Sequence, residues 1–513
     1  MTFRLLASLV LLAVGLKADV TLAPLFCNHA VLQSDKPVPV WGRADPGEQV
    51  TVSFRGQSVG TTALPDGQWS VLLPAFQATR EGSVLEAVGK TTISVSDVLV
   101  GEVWVCSGQS NMEFVVYDSH GTVFRVKNGP AEVAAAHFPL IRHFRVQKQT
   151  AKSPQESVGG SWEVCSPETV GQFTAVGYFF ARSLQARLGV PVGLVNASWG
   201  GTPIEAWMSP LALASDPAFR IAYERWQADV ASAPGLRATY LRELATWTAA
   251  EAAAKAKGTA AHAAFLKKTP KPREPRAGFP QYEPEVLFNG MINPLLPYAI
   301  RGFLWYQGEQ NATHPEEYHA LFAAMITAWR SHFGQGDLPF YFVQLANFKA
   351  GDGNGTAWAR LREAQAQVLT LPATGMAVTI DIGDPDNIHP TNKQEVGRRL
   401  ALIANASLYG ASADYSGPVF ASAMPEGSAM RVRFSQSGIG LIARDKPVQS
   451  LELAGADHVF YPAEGKIEGD TLKVVSPKVH APIAVRYAWR NAPVANLYNG
   501  AGLPAAPFRS DGW

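Results

Sequence analysis

The stretch VLVGEVWVCSGQSNMEF, residues 98–114, decides how this chain of 513 residues reads. It begins as an apolar strand, with Val98, Val100, Val103, Trp104 and Val105. It then breaks into Ser107-Gly108-Gln109-Ser110-Asn111. Glycine takes backbone angles that strain other residues, so Gly108 can turn the chain sharply and expose the hydroxyl of Ser110 at the end of a core strand.

C-terminal to this stretch, strand and helix patterns alternate. LIRHFRV (140–146) and VPVGLVNAS (190–198) read as strands around the helical FTAVGYFFARSLQARLG (173–189). AIRGFLWYQ (299–307), LPFYFVQLAN (338–347) and GMAVTIDIG (375–383) are further strands. The helices between and after them are PEEYHALFAAMITAWRSHFG (315–334), AWARLREAQAQVL (357–369) and NKQEVGRRLALIANASLYG (392–410). Such alternation predicts a parallel sheet with helices on both faces. Residues 19–98 look different. KPVPVWGRA, EQVTVSFRG, QWSVLLPAF and KTTISVSDVLV are short strand patterns separated by DPG, PDG and REG turns, which suggests a small β-sandwich. A second β module is expected over 411–513. Within the 99–410 domain, an Ala-rich helical insert spans about 208–287 and ends in the Pro-rich basic TPKPREPRAG (269–278). It is expected to be a solvated helix and surface loop with no role in a site.

Length at ~150 residues per domain gives about three domains. Apolar residues make up 47% and charged residues 17%, enough for a large core. Lys plus Arg is 44 against 43 for Asp plus Glu, so charge gives no argument for nucleic acid or an anionic membrane. At the N-terminus, Arg4, the apolar run Leu5 to Leu16 and the small Ala18 before Asp19 form a signal peptide pattern over 1–18. The expectation is an exported protein, periplasmic or extracellular. No cysteine stands close enough to the apolar run for a lipid anchor. Cys27, Cys106 and Cys165 are too few to staple a chain this long. Oligomeric state leaves no mark in the sequence.

Four polar clusters lie at or shortly after the C-terminal ends of predicted parallel strands: SGQSN (107–111), SWGGTPIEAW (198–207), QGEQNA (307–312) and DPDNIHP (384–390). Open α/β sheets place ligand sites at that edge. A serine hydrolase needs a nucleophile, a His base, usually a carboxylate behind the His, and N–H donors for the oxyanion. Ser110 and His389 fit the first two. Asp386 stands three residues before His389. Gly200 and Gly201 offer unhindered backbone N–H groups, and Gln307 and Asn311 offer side-chain amides. Thr391 to Gln394 reads as a capping box that starts the last helix and fixes the His389 loop. Each element alone is commonplace; four at successive strand ends are hard to attribute to chance.

CSGQSNMEF (106–114), NASWGGTPIEAW (196–207), LFNGMINPLLPYAIRGFLWYQGEQNA (287–312) and DIGDPDNIHPTNKQEVGRRLAL (381–402) resemble the sequence blocks of SGNH-type hydrolases. More narrowly, they resemble sialate O-acetylesterases and related carbohydrate acetylesterases. HAVLQSDKPVPVWGRADPGEQVTV (29–52) and YAWRNAPVANLYNGAGLPAAPFRSD (487–511) extend the likeness over nearly all of the chain apart from the insert. The resemblance implies an SGNH-like three-layer α/β/α domain flanked by N- and C-terminal β modules. It implies a cofactor-free serine esterase acting on acetylated glycans or sialic acids. By position, Ser110 is the nucleophile and His389 the base. Ser110 N–H and the Gly200 or Gly201 N–H form the oxyanion hole, with Gln307 as third donor ahead of Asn311. Glu309 is structural or orients its neighbours. Two departures stand out. Gln310 occupies a position that is often Ser. Asn387-Ile388-His389 replaces an Asp-Ile-His, so the orienting group is Asp386, with Asp384 also near, or a main-chain carbonyl in a Ser-His dyad.

Other classes account for less. No His-Glu-x-x-His or zinc-spaced Cys/His set is present. VGKTT (88–92) lacks the earlier phosphate-loop glycine, since position 84 is Val84. A glycosidase built on Glu309 and Asp386 would leave Ser110 and the glycine pair without a purpose. A non-catalytic glycan-binding protein would need the 13 tryptophans to be exposed rather than in the core. Acetyl xylan or another acetylated glycan suits the same chemistry as acetylated sialic acid.

Overall fold

The computed structural model describes residues 19–118, 125–351, 355–445 and 447–513; the expected signal peptide at 1–18 lies outside them. The apolar part of the opening stretch, Val98 to Gly108, lies in a single strand, Thr92–Gly108, of 17 residues. It runs straight through the expected boundary at 98/99. Its first part pairs antiparallel with Thr79–Val88 in the N-terminal module. Its last part pairs in parallel with Val192–Ser198 on one side and Gly302–Tyr306 on the other. Every residue from Val98 to Gly108 is buried, as a strand covered on both faces requires.

Across the central sheet the order is Trp162–Cys165, Phe138–Arg145, Val192–Ser198, Thr92–Gly108, Gly302–Tyr306, Phe340–Val343, Thr374–Ala377. These pairings are parallel except at the Trp162–Cys165 edge, which is antiparallel and makes the sheet mixed. Side-chain alternation sets the layers. Val105, Phe303 and Phe340 lie in register and face the helix Pro315–Phe333, where Phe303 meets Phe333 at 5.1 Å and Trp329 at 5.4 Å. One residue on, Cys106, Leu304 and Tyr341 face the opposite way, toward helices Ala175–Leu188 and Lys393–Tyr409. There Cys106 Sγ would touch a Cβ on Gly177, and Tyr341 Oη shares a hydrogen bond with Ser407 Oγ. These three helices end on the left-handed glycines Gly189, Gly334 and Gly410. The last helix starts one residue later than expected: Asn392, not Thr391, caps it by accepting from Glu395 N–H.

The result is an SGNH-like three-layer α/β/α domain flanked by β modules. The N-terminal module adds two sheets, one of which continues into the central sheet through Thr92–Gly108. The two share one hydrophobic core. The C-terminal module comprises a seven-stranded antiparallel sheet and a two-stranded one, with its own core, joined by Val378 and Ile380. Trp104, Trp207, Trp305 and Trp329 are fully buried, so they serve packing rather than sugar stacking. All three cysteines are free. The insert forms helices Arg220–Ala256 and Thr259–Lys268.

Along the chain, the three strands after Thr92–Gly108 fall on one side of it and the last three on the other. Strand order reverses there, and open α/β sheets leave a crevice at such a reversal.

Candidate active site

The central strand ends at Gly108, with φ +130°, between Ser198 and Tyr306. A Cβ there would stand 2.3 Å from the Tyr306 carbonyl oxygen, so both angle and space demand glycine. Gln109 N–H bonds that same oxygen at 3.0 Å, and the chain turns into the short helix Ser110–Glu113. Ser110 is left half-buried above the sheet edge. Its Oγ lies 2.8 Å from His389 Nε2, across 279 residues of sequence.

The His389 loop is shaped by its own side chains. Asp384 Oδ1 accepts from Asp386 N–H and Asn387 Oδ1 accepts from His389 N–H, each an Asx-type turn. Asn387, at the position where Asp-Ile-His was expected, thus supports the backbone of His389. The Asp386 carboxylate is 78% exposed and pairs with Lys349 Nζ at 2.9 Å. Among the described residues Lys349 is the partner of that carboxylate, and the structure does not bring it to the imidazole.

Beneath the pair lies a polar hub centred on Asn111. Its Nδ2 donates to the Ile388 carbonyl at 3.0 Å and to Glu309 Oε1 at 2.5 Å; its Oδ1 accepts from Lys393 Nζ at 2.5 Å. One amide therefore ties the Ser110 turn to the His389 loop, the third cluster and the last helix. Lys393 is fully buried, with Nζ over the rings of Phe114 and Tyr306 at 4.7 and 5.3 Å. Burial pushes its ammonium down to about 7, against the pull of Glu309. Burial likewise raises the Glu309 carboxyl, whose Oε2 has no hydrogen-bond partner among the described residues. For His389, burial and then the positive charges of Lys393 and Arg276 lower the imidazole to about 4. It is neutral at pH 7, the state a general base needs.

The remaining expected donors fall into two groups. Gly200 packs against Ser110: a Cβ on it would stand 3.2 Å from Ser110 Cβ. Its N–H already donates to Glu113 Oε2 at 2.6 Å, and Lys148 pairs with the other oxygen of that carboxylate. Ser110 N–H and Gly201 N–H make no hydrogen bond among the described residues. Gln307 and Asn311 are buried and engaged with each other. Gln307 Nε2 donates to Asn311 Oδ1 at 2.7 Å and to the Thr202 carbonyl at 3.2 Å; Asn311 Nδ2 donates to Glu205 Oε2 at 2.8 Å. They brace the loop after the glycine pair.

Sequence reasoning left Lys393, Glu113, Lys349 and Arg276 out of the site. Lys393 carried a signal: it falls on the same helix face as the buried Val396 and Leu400. Arg276 did not, because it comes from the insert.

A family model described as carbohydrate esterase, sialic acid-specific acetylesterase, matches residues 100–239 and 283–405. The sialate O-acetylesterase of Rattus norvegicus is 29% identical over 94% of this chain and 92% of its own length. That of Homo sapiens is 28% identical over 94% and 90%. The crystal structure of a carbohydrate acetylesterase from Xanthomonas citri superposes with a TM-score of 0.81 at 40% identity, covering 96% of this chain and 100% of that one. The chain belongs to the carbohydrate esterase family of sialic acid-specific acetylesterases and is a carboxylic ester hydrolase.

Proposed function

We propose that the protein removes O-acetyl groups from acetylated sugars, sialic acids first among them, by a serine acyl-enzyme mechanism run by Ser110 and His389. The observation that carries this reading is the 2.8 Å contact between Ser110 Oγ and a neutral His389 Nε2. His389 takes the Ser110 proton as Oγ attacks the acetyl carbonyl. The sugar hydroxyl then leaves with that proton. Water, activated by His389 in turn, attacks the acetyl-serine and releases acetate. The oxyanion falls to Ser110 N–H and Gly201 N–H, with Gly200 N–H available once Glu113 moves aside. Gln307 and Asn311 act by holding the glycine loop. Because the Asp386 carboxylate faces Lys349, we read the machinery as a Ser-His pair that works without it.

The test is acetate release from acetylated sialic acids and from p-nitrophenyl acetate. Ser110→Ala is expected to lower turnover by at least about 10⁴ with an unchanged melting profile. Native-like turnover in that variant would overturn the mechanism. Release from acetylated xylan alone would move the substrate to that glycan.

A further inference from the structure

The Pro-rich end of the insert is fixed rather than trailing. Gly278, with φ +73°, brings the chain back onto the long helix Arg220–Ala256, so that a Cβ on it would lie 3.0 Å from Ala233 Cβ. Arg237 of the same helix pairs with Glu274. Between these anchors stands Arg276. Its Nη1 lies 3.5 Å from Tyr282 Oη and 2.8 Å from where a Gly201 Cβ would be. The neighbouring Gly200 touches Ser110. The guanidinium and the nucleophile therefore flank one glycine pair. Arg276 is exposed, and among the described residues no carboxylate pairs with it. Tyr282 also lines a cavity of about 330 Å³, with Trp226, Asp229, Gln310 and His314, that has room for part of a glycan.

A sugar that reaches Ser110 by way of Gly200 and Gly201 would meet Arg276 with its ring. Guanidinium binds carboxylate through two parallel N–H···O bonds, a match that neutral hydroxyls do not offer. Among the described residues no carboxylate pairs with this charge, which leaves it open to an anion of the substrate. We propose that Arg276 anchors the carboxylate of an acidic acetylated sugar, so that the insert selects the substrate class. This rests on the esterase reading above for the pose of the sugar. Two sources share the chemistry, sialic acids and uronic acids.

The experiment measures equilibrium binding, so it does not depend on turnover. The full chain carrying Ser110→Ala is titrated with N-acetylneuraminic acid, with galacturonic acid and with the methyl ester of each, in which the carboxylate is masked. At least one acid is expected to bind about tenfold or more tightly than its ester. The preference should vanish in Arg276→Gln and be partly retained in Arg276→Lys, with thermal melts checking that each variant folds. Whichever acid shows the preference identifies the source. A preference that survives Arg276→Gln, or no preference for either acid, would overturn the assignment. Failure of the esterase reading would show separately, as a chain that releases no acetate.

Discussion

At the scale of single residues, His389 is tuned by burial first and by two cations second. Burial, Lys393 and Arg276 all act to keep the imidazole neutral, and it loses its proton near pH 4. In the proposed mechanism a protonated His389 is inactive, so activity is lost as pH falls through that value. We expect kcat/KM to be level from pH 7 down to about 5 and to drop through about 4. Lys393→Met removes a charge that lowers His389, so the acid limb should move to higher pH. The same change frees Asn111 from one of its ties and should cost about 10- to 100-fold in kcat/KM through misplacement. A pH–rate profile of both proteins checks this; an unmoved limb would remove Lys393 from the electrostatic account. Asp386 makes the opposite case. Its exposed pair with Lys349 is of a kind worth at most about 1 kcal/mol, or roughly fivefold. Asp386→Asn should therefore keep turnover within about fivefold of native, whereas loss of a carboxylate that truly orients the base costs about 10⁴. The larger figure in a steady-state assay would restore the triad.

At the scale of elements, the strand Thr92–Gly108 and the turn that ends it do the positioning. Its apolar run and its glycine were legible, because burial on both faces and a left-handed turn each impose a residue type locally. What could not be read was its continuity. Residues 92–97 carry a half-exposed alternation and 98–108 a buried run, and such a change of pattern looks like two strands. It reflects one strand passing from a two-layer module into a three-layer one. Gly108→Ala should destabilise the chain by about 3 kcal/mol or more, since the added Cβ meets backbone that is fixed in the sheet. It should also abolish turnover. Urea unfolding read beside an activity assay checks both, and a native-like midpoint would mean that the turn can relax. The insert was underestimated for the opposite reason. Its long helix is solvated as expected, but the site contribution comes from one arginine in the loop that follows.

At the scale of the whole molecule, the two β modules are not equivalent. The N-terminal one shares the strand Thr92–Gly108 and a hydrophobic core with the hydrolase domain. A chain cut to begin at residue 99 would expose that core and leave the central strand without its N-terminal partners. It should fail to fold cooperatively, even though a domain boundary is suggested there. Calorimetry of the truncated chain checks this; a sharp native-like transition would show that the hydrolase domain stands alone. The C-terminal module keeps its own core, and Arg362 fastens it. That buried guanidinium donates to the carbonyls of Leu345 and Ala346 beyond the Phe340–Val343 strand and of Arg490 and Asn491 in the module.

By itself the sequence determined the layers, the helix ends at Gly189, Gly334 and Gly410, and the two residues that meet, Ser110 and His389. Period, turn chemistry and helix-end glycines are local properties, and they survive without coordinates. Only the tertiary structure decided which amides are spent on bracing, that Asp386 turns to Lys349, that burial with Lys393 and Arg276 lowers His389, and that Arg276 arrives from the insert. Those outcomes depend on desolvation and on partners up to 282 residues apart, and no local pattern encodes them.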